Sequence, residues 1–183
     1  AGRQVIAVDQ RNHGDSAWAT PHDYPSMAAD IAEVIGAHGG RADVLGHSMG
    51  GKAAMALALT RPGMVRKLAV MDIAPVAYGH SQTALIDAME WLDLGAVDRR
   101  SAADAALADQ VEDSGTRAFL LQSLDLKADP PRWRMNLAAL RDQMPGLTGW
   151  PAADEGMRFD GPMLVLAGGD SDYVDDAGRA AIA

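Results

Sequence analysis

Residues 44–52 read VLGHSMGGK, and this stretch decides the fold. The apolar pair Val44-Leu45 is typical of a buried strand, and residues 50–60 form a strong helix-forming run. Between them lies a G-x-S-x-G motif, residues 46–50. A strand, a sharp turn and a helix in this order are the context of a nucleophile elbow, which presents its serine at the carboxyl end of the strand. The sequence therefore predicts that Ser48 is a nucleophile.

The elbow places demands on the neighbours of the serine. Gly46 and Gly50 are predicted to be required because a side chain at either position would clash in so tight a turn. The helix that starts beneath Ser48 favours developing negative charge. The N–H of Met49, the next residue, is predicted to donate to an oxyanion. The competing interpretation is a glycine-rich structural turn with an idle serine.

Strand and helix patterns alternate on both sides of the elbow. Continuous apolar runs predict four buried strands, at residues 5–8 (VIAV), 44–45 (VL), 68–71 (LAVM) and 163–167 (MLVLA). Residues 27–35 carry apolar side chains at helical spacing, with Ser26 as the expected N-cap and Gly39-Gly40 as the stop. This alternation predicts a mostly parallel sheet with helices on both faces.

Residues 81–150 interrupt the alternation. They contain three or four helix patterns and no strand-like run. Ser101 with Asp104 resembles a capping box for one of these helices. A helical insertion between the strands that end at Asp72 and Gly168 either covers a site or adds packing.

Four segments together resemble the α/β-hydrolase fold: residues 8–16 (VDQRNHGDS), 46–52 (GHSMGGK), 71–75 (MDIAP) and 164–174 (LVLAGGDSDYV). Within that fold they are most similar to the bacterial acyl esterases and their mitochondrial abhydrolase-domain relatives. The resemblance implies a three-layer α/β sandwich, partial in this chain, with an incomplete core at residues 1–80 and 151–183 and a helical cap at residues 81–150. It also implies a catalytic triad in the chain order Ser, Asp or Glu, His.

The triad acid has two candidate positions. Asp72 follows the strand next to the elbow, and carboxyl ends of neighbouring parallel strands lie at the same sheet edge. The alternative is Asp172, in the loop after the next predicted strand, with Asp170 behind both. In the resembling branch the acid occupies the earlier position, which favours Asp72.

The triad histidine is not assigned within the chain. His80 is the last histidine, so none follows Asp172 as the resembling fold requires. His47 is expected to point away from Ser48, and His13 to be structural. The remaining histidines, His22, His38 and His80, are expected to be solvated. We therefore expect a chain truncated at both ends and nearly inactive by itself.

Other chemistry-bearing residues receive structural interpretations. Lys52 is expected to pack or to form a surface ion pair, and Asp9 to bond backbone in the turn that follows it. Met and Trp residues of the insertion could line an acyl pocket but are at least as often core: Met89, Trp91, Trp133, Met135, Met144 and Trp150. The aspartates at 170, 172, 175 and 176 indicate a solvated turn rather than a cation site.

Composition excludes several functional classes. The 183 residues carry 16 Lys and Arg against 25 Asp and Glu, a net charge of −9, which argues against nucleic acid and anionic membranes as partners. No apolar run approaches membrane-spanning length. The absence of cysteine excludes disulfides and thiolate metal sites and fits the cytoplasm. We expect no cofactor and no metal.

The function predicted from these residues and the resemblance is hydrolysis of a carboxylic ester or thioester through an acyl-enzyme. The partner is then a small-molecule acyl ester, and the oligomeric state is left open. The alternative is a non-catalytic relative of the same fold that binds a ligand or a protein. An intact Ser48 motif favours the enzyme.

Overall fold

A computed structural model describes residue 2, residues 4–151 and residues 156–183. In chain order its regular elements are α1 (Tyr24–Ala37), β1 (Ala42–His47), α2 (Met49–Thr60), β2 (Val65–Met71), α3 (Thr83–Trp91), α4 (Arg100–Leu107), α5 (Ser114–Leu120), β3 (Leu124–Asp125), β4 (Arg132–Trp133), α6 (Leu137–Thr148), β5 (Met163–Leu166) and α7 (Asp176–Ile182). The predicted α/β class with a parallel sheet and a helical insertion is confirmed.

The main sheet joins β1, β2 and β5 in that order, and both pairings are parallel. In the register, His47 lies opposite Met71, and Met71 lies opposite Leu166. The three strands therefore end together, and the residues that follow them meet at one edge of the sheet.

Helices α1 and α2 form the core with one face of the sheet. Met27 of α1, Leu57 of α2 and Val70 of β2 are all fully buried. Alanines dominate the rest of α2 and let it pack closely between α1 and the strands. Side chains of alternate strand residues point to the opposite face. There Leu45 and Leu164 stay 68% and 55% exposed.

The N-cap of α1 lies three residues before the expected one. Asp23 is the N-cap, and its carboxylate accepts a hydrogen bond from the N–H of Ser26, so Ser26 lies inside the first turn. The prediction of Ser26 as the cap was wrong because the helix starts before Ser26, and the N–H of Ser26 is itself the orphan donor that Asp23 satisfies. Gly39 and Gly40 follow the helix with φ of 104° and 76°, and they end it as predicted.

The strand predicted at residues 5–8 is absent. These residues lie in irregular structure, and Val5 is 86% exposed. A strand needs a neighbour that completes its backbone hydrogen bonds, and none of the described strands pairs with this segment. The apolar run indicated β propensity, which does not supply a pairing partner.

The helical insertion, residues 81–150, contains α3 to α6 and has a core of its own. Leu107 and Leu121 are almost fully buried in it, and the indole N–H of Trp133 donates to the carbonyl of Met89 at 2.9 Å. The insertion also holds the two-residue antiparallel pair of β3 and β4, so the prediction of no strand was wrong.

The predicted capping box at Ser101 and Asp104 was also wrong. Helix α4 begins at Arg100, so Ser101 lies within its first turn and cannot be the cap. Asp104 instead pairs with Arg117 of α5 at 3.0 Å. Ser101 and Asp104 have capping-box spacing, but the box requires the serine at the N-cap, and Arg99 holds that position.

The turn around Asn12 joins the chain's first segment to the helical insertion. Asn12 is fully buried with φ 66°, and its side-chain amide exchanges hydrogen bonds with both backbone groups of Ala19. The backbone carbonyl of Asn12 accepts a hydrogen bond from the N–H of Asn136, and the N–H of Gly14 donates to the carbonyl of Arg134. His13 bridges to Met135, which agrees with the predicted structural role of that histidine.

Replacement of Asn12 by alanine is expected to lower the free energy of unfolding by about 2–4 kcal/mol, because half-buried backbone groups of Ala19 lose their partners and alanine disfavours positive φ. Urea unfolding monitored by circular dichroism measures the change. The control is Gln122→Ala on an exposed residue, which should stay within about 0.5 kcal/mol. Equal stability of the two variants would contradict this role of Asn12.

Candidate active site

Ser48 occupies the single residue between β1 and α2. Its backbone φ of 50° and ψ of −121° lie outside the regions that residues with a side chain normally adopt. Its N–H donates to the carbonyl of Met71 at 3.0 Å, which ties the turn to the neighbouring strand. The side chain is half-buried. A strained, partly accessible serine at the carboxyl end of a strand has the geometry of a nucleophile elbow.

Two glycines of the turn, Gly46 and Gly51, have no room for a side chain. Gly46 was predicted to be one of them, and Gly51 was not. A Cβ on Gly46 would overlap the backbone of Gly50 and lie 2.7 Å from the nitrogen of Gly51. A Cβ on Gly51 would lie 2.6 Å from the Ile73 side chain. A Cβ on Gly50 meets nothing within 4 Å, so the prediction of a clash there was wrong. Gly50 lies in the first turn of α2, where its Cβ position faces open space.

Gly46→Ala is expected to lower the free energy of unfolding by about 3 kcal/mol or more, because strand and helix backbones must separate. Gly50→Ala is the matched control, and it should be neutral or stabilise by up to about 1 kcal/mol because alanine favours helix. Thermal unfolding of both variants tests the pair. A Gly50 variant as unstable as the Gly46 variant would contradict the assignment of the close contact.

The N-terminus of α2 lies directly after the serine. Met49 is the first residue of the helix, and the first N–H groups of a helix have no partner within it. The carbonyl of Ser48 accepts from the N–H of Lys52 at 3.1 Å, which aligns the turn with the helix axis. This geometry suits the predicted donation from the Met49 N–H to an oxyanion.

Asp72 is the residue after β2 and lies next to the elbow in the strand register. It has φ 52°, like Ser48, and its N–H donates to the carbonyl of Leu166 at 2.7 Å. Its Oδ1 accepts from the N–H of Gly168 at 2.9 Å. A Cβ on Gly168 would lie 3.3 Å from that oxygen and 2.9 Å from Cβ of Ser171. The carboxylate is thus held on the same sheet edge as Ser48.

The other candidate acids lie in the loop after β5. Asp170 and Asp172 are both exposed, whereas Asp72 is half-buried. Asp175 caps α7 by accepting from the N–H of Gly178, which explains part of the aspartate cluster as a helix cap. Asp172 remains the alternative acid, and Asp72 has the more closely held carboxylate.

The histidines are distributed over the molecule. Within the described ranges none of them hydrogen-bonds to Ser48. His38 and His80 are exposed as predicted, and His47 is exposed at the end of β1. His22 is fully buried, so its predicted solvation was wrong. Its Nδ1 lies 3.2 Å from the side-chain amide nitrogen of Asn12, and this contact gives the buried ring a polar partner.

Burial lowers the pKa of His22 to about 4, from an ordinary value of 6.5. Between these values the unfolded chain binds a proton that the folded protein does not, so stability is lost as the pH falls from 6.5 towards 4. From pH 7 to 5 we expect wild type to lose about 1–2 kcal/mol more than a His22→Gln variant. Urea titrations at each pH measure this. His38→Gln should keep the wild-type slope, and parallel slopes for all three would contradict a buried neutral His22.

Asp9 and Lys52 were both predicted to have structural roles, and the structure confirms the predicted contact of Asp9 but not the surface position of Lys52. Asp9 accepts a hydrogen bond from the N–H of Asp15 at 3.0 Å, which confirms its predicted role in the turn. Lys52 is neither a surface residue nor simple packing, because it is only 1% exposed. Its Nζ donates to the carbonyls of Val76, Thr148 and Gly149 at 2.8, 3.2 and 2.6 Å. Burial lowers its pKa to about 8.

The sequence marks Lys52 as unusual without deciding whether it is buried. It lies four residues after Ser48, on a helix whose other residues are small and apolar. A lone lysine in such a helix either reaches the surface or is buried with partners, and spacing alone does not decide between them.

The aromatic and methionine residues of the insertion divide between core and surface. Met89, Trp133 and Met144 are buried, in agreement with ordinary core. Trp91 is 55% exposed. Trp150 packs against the main core beside Tyr24, with ring centroids 6.0 Å apart.

The fold, the strained serine and the neighbouring carboxylate define a class of protein. The chain belongs to the alpha/beta hydrolase family, whose model matches residues 1–183. The sn-1-specific diacylglycerol lipase ABHD11 of Mus musculus is 38% identical, over 99% of this chain and 61% of its own length. Esterase YbfF of Escherichia coli strain K12 is 36% identical, over 96% of this chain and 67% of its own length.

A solved structure extends the comparison. The marine microorganism esterase superposes with a TM-score of 0.85 at 32% identity, over 94% of this chain and 69% of its own. The chain thus spans between half and seven tenths of the length of the relatives named here, since the ABHD11 protein of Danio rerio is covered over 56% of its length. Among the residues that the structure describes, no helix has the length and apolar character needed to cross a bilayer.

Proposed function

We propose that this chain carries the nucleophile of a serine hydrolase that cleaves carboxylic esters or thioesters. The observation that carries the proposal is Ser48, in a strained turn between β1 and α2, with the carboxylate of Asp72 on the same sheet edge. A nucleophilic serine forms an ester with the acyl group, which suits acyl transfer rather than chemistry that requires a carboxylate nucleophile.

The proposed reaction has two halves. The Ser48 oxygen attacks the acyl carbonyl, the bond to the alcohol or thiol breaks, and the leaving group departs with a proton. Water then attacks the acyl-enzyme, which releases the carboxylic acid and restores the serine. The Met49 N–H stabilises the oxyanion in both halves, as its position at the start of α2 allows.

Asp72 is the proposed orienting acid, and Asp172 is the alternative. A triad acid holds the imidazole of the base in the correct tautomer and orientation. The Gly168 N–H fixes the Asp72 carboxylate, which leaves its second oxygen for the imidazole. No residue of this chain is assigned as that base. We propose that the histidine belongs to the part of the full-length protein that matches the rest of the relatives' length.

The proposed substrate is a small-molecule acyl ester, and the proposed location is the cytoplasm. The relatives are named as esterases and as a diacylglycerol lipase, which supports an ester and leaves the acyl chain open.

Labelling by a fluorophosphonate probe tests the nucleophile. The full-length protein should label, and Ser48→Ala should abolish labelling while circular dichroism stays unchanged, because the probe reacts only with an activated serine. Asp72→Asn should lower kcat for a p-nitrophenyl ester by about 10³–10⁴-fold. The matched variant Asp172→Asn should lower it less than threefold if Asp72 is the acid.

Two results would overturn parts of this proposal. A folded full-length protein that neither reacts with the probe nor hydrolyses esters would contradict the proposed hydrolase activity and favour a non-catalytic binding protein. A large loss in Asp172→Asn, with Asp72→Asn nearly unchanged, would move the acid to the loop after β5.

A further inference from the structure

The helical insertion is attached to the sheet by two neighbouring segments. The outgoing segment, residues 76–80, lies between β2 and α3, and the incoming segment, residues 147–150, comprises the last two residues of α6 and the two that follow it. They are hydrogen-bonded to each other, because the N–H of Tyr78 donates to the carbonyl of Thr148 at 2.8 Å. The Tyr24 hydroxyl of α1 donates to the carbonyl of Leu147 at 2.5 Å. We call these two segments the hinge.

The ammonium group of Lys52 bonds both segments of the hinge. Its three protons match three carbonyl acceptors, Val76 on the outgoing segment and Thr148 and Gly149 on the incoming one. The ring of Tyr78 lies 4.5 Å from Nζ and adds a cation–π contact. An apolar side chain of similar length would fill the space but leave three half-buried carbonyls without this donor.

The same lysine belongs to the helix that carries the nucleophile. Its N–H donates to the carbonyl of Ser48, one helical turn away. One side chain therefore connects the elbow helix to both ends of the insertion. The outgoing segment comes a few residues after Asp72 in the chain, so a change in the orientation of the insertion begins close to the sheet edge that holds Ser48 and Asp72.

We propose that Lys52 is a positioning residue that sets the orientation of the helical insertion relative to Ser48 and thereby selects substrates by acyl length. The selection by acyl length rests on the proposed function, whereas the control of the hinge does not. Lys52 touches neither the serine hydroxyl nor, in this mechanism, the substrate. Its effect passes through the hinge.

Hydrogen exchange and ester selectivity test the proposal in the full-length protein. Lys52→Met keeps the length of the side chain and removes the charge, and Lys127→Met on an exposed lysine of the insertion is the matched control. In Lys52→Met, amide exchange in the hinge, residues 76–80 and 147–150, should rise at least tenfold. KM for p-nitrophenyl octanoate should rise about tenfold. KM for p-nitrophenyl acetate and the rate of fluorophosphonate labelling should each change less than threefold.

A second variant covers the case in which Lys52→Met does not fold. Tyr24→Phe removes only the hydroxyl that bonds Leu147, and it should move exchange and the octanoate-to-acetate ratio in the same direction by a smaller factor. Wild-type exchange and selectivity in a folded Lys52→Met or in Tyr24→Phe would overturn the proposal. If wild type hydrolyses neither ester, the proposed function fails, and exchange at the hinge still decides the role of Lys52.

Discussion

The close approach of β1 and α2 at Gly46 is the constraint on which the rest of the site depends. The strand can turn into the helix within one residue only because the backbones of Gly46, Gly50 and Gly51 come almost into contact. That turn leaves Ser48 with positive φ and directs its carbonyl into the helix and its N–H to β2. Strain at the serine is thus maintained by packing of glycine backbone and by the neighbouring strand, which hold a conformation that the residue would not adopt alone.

Parallel pairing then gathers the other groups without any further device. Because β1, β2 and β5 end in register, Asp72 and the loop that begins at Gly168 follow the same edge as the elbow. The hydrogen bond from Gly168 to Asp72 connects the two later strands directly above that edge. The arrangement depends on strand order more than on any one side chain, which is why ligand sites recur at this edge in parallel α/β folds.

Two buried polar residues connect the helical insertion to this framework. Asn12 bonds Asn136 from the turn near the start of the chain, and Lys52 bonds the hinge from the elbow helix. Buried polar groups of this kind specify geometry, because displacement of the insertion would leave carbonyls and amides unsatisfied. The apolar contacts within the insertion hold its own helices together, and these polar contacts, with Trp150 packed on the main core, attach it to the sheet.

The sequence by itself determined the local elements of the elbow, the parallel order of β1, β2 and β5, the helical nature of residues 81–150 and the turn role of Asp9. These follow from short-range patterns: glycine spacing, apolar periodicity and strand-ending polar residues. Only the tertiary structure decided that a side chain would clash at Gly51 rather than at Gly50, that His22 and Lys52 are buried, and that residues 5–8 have no partner among the described strands. Each of these depends on which distant atoms surround the residue, and a burial or a pairing between remote segments leaves no trace in local spacing.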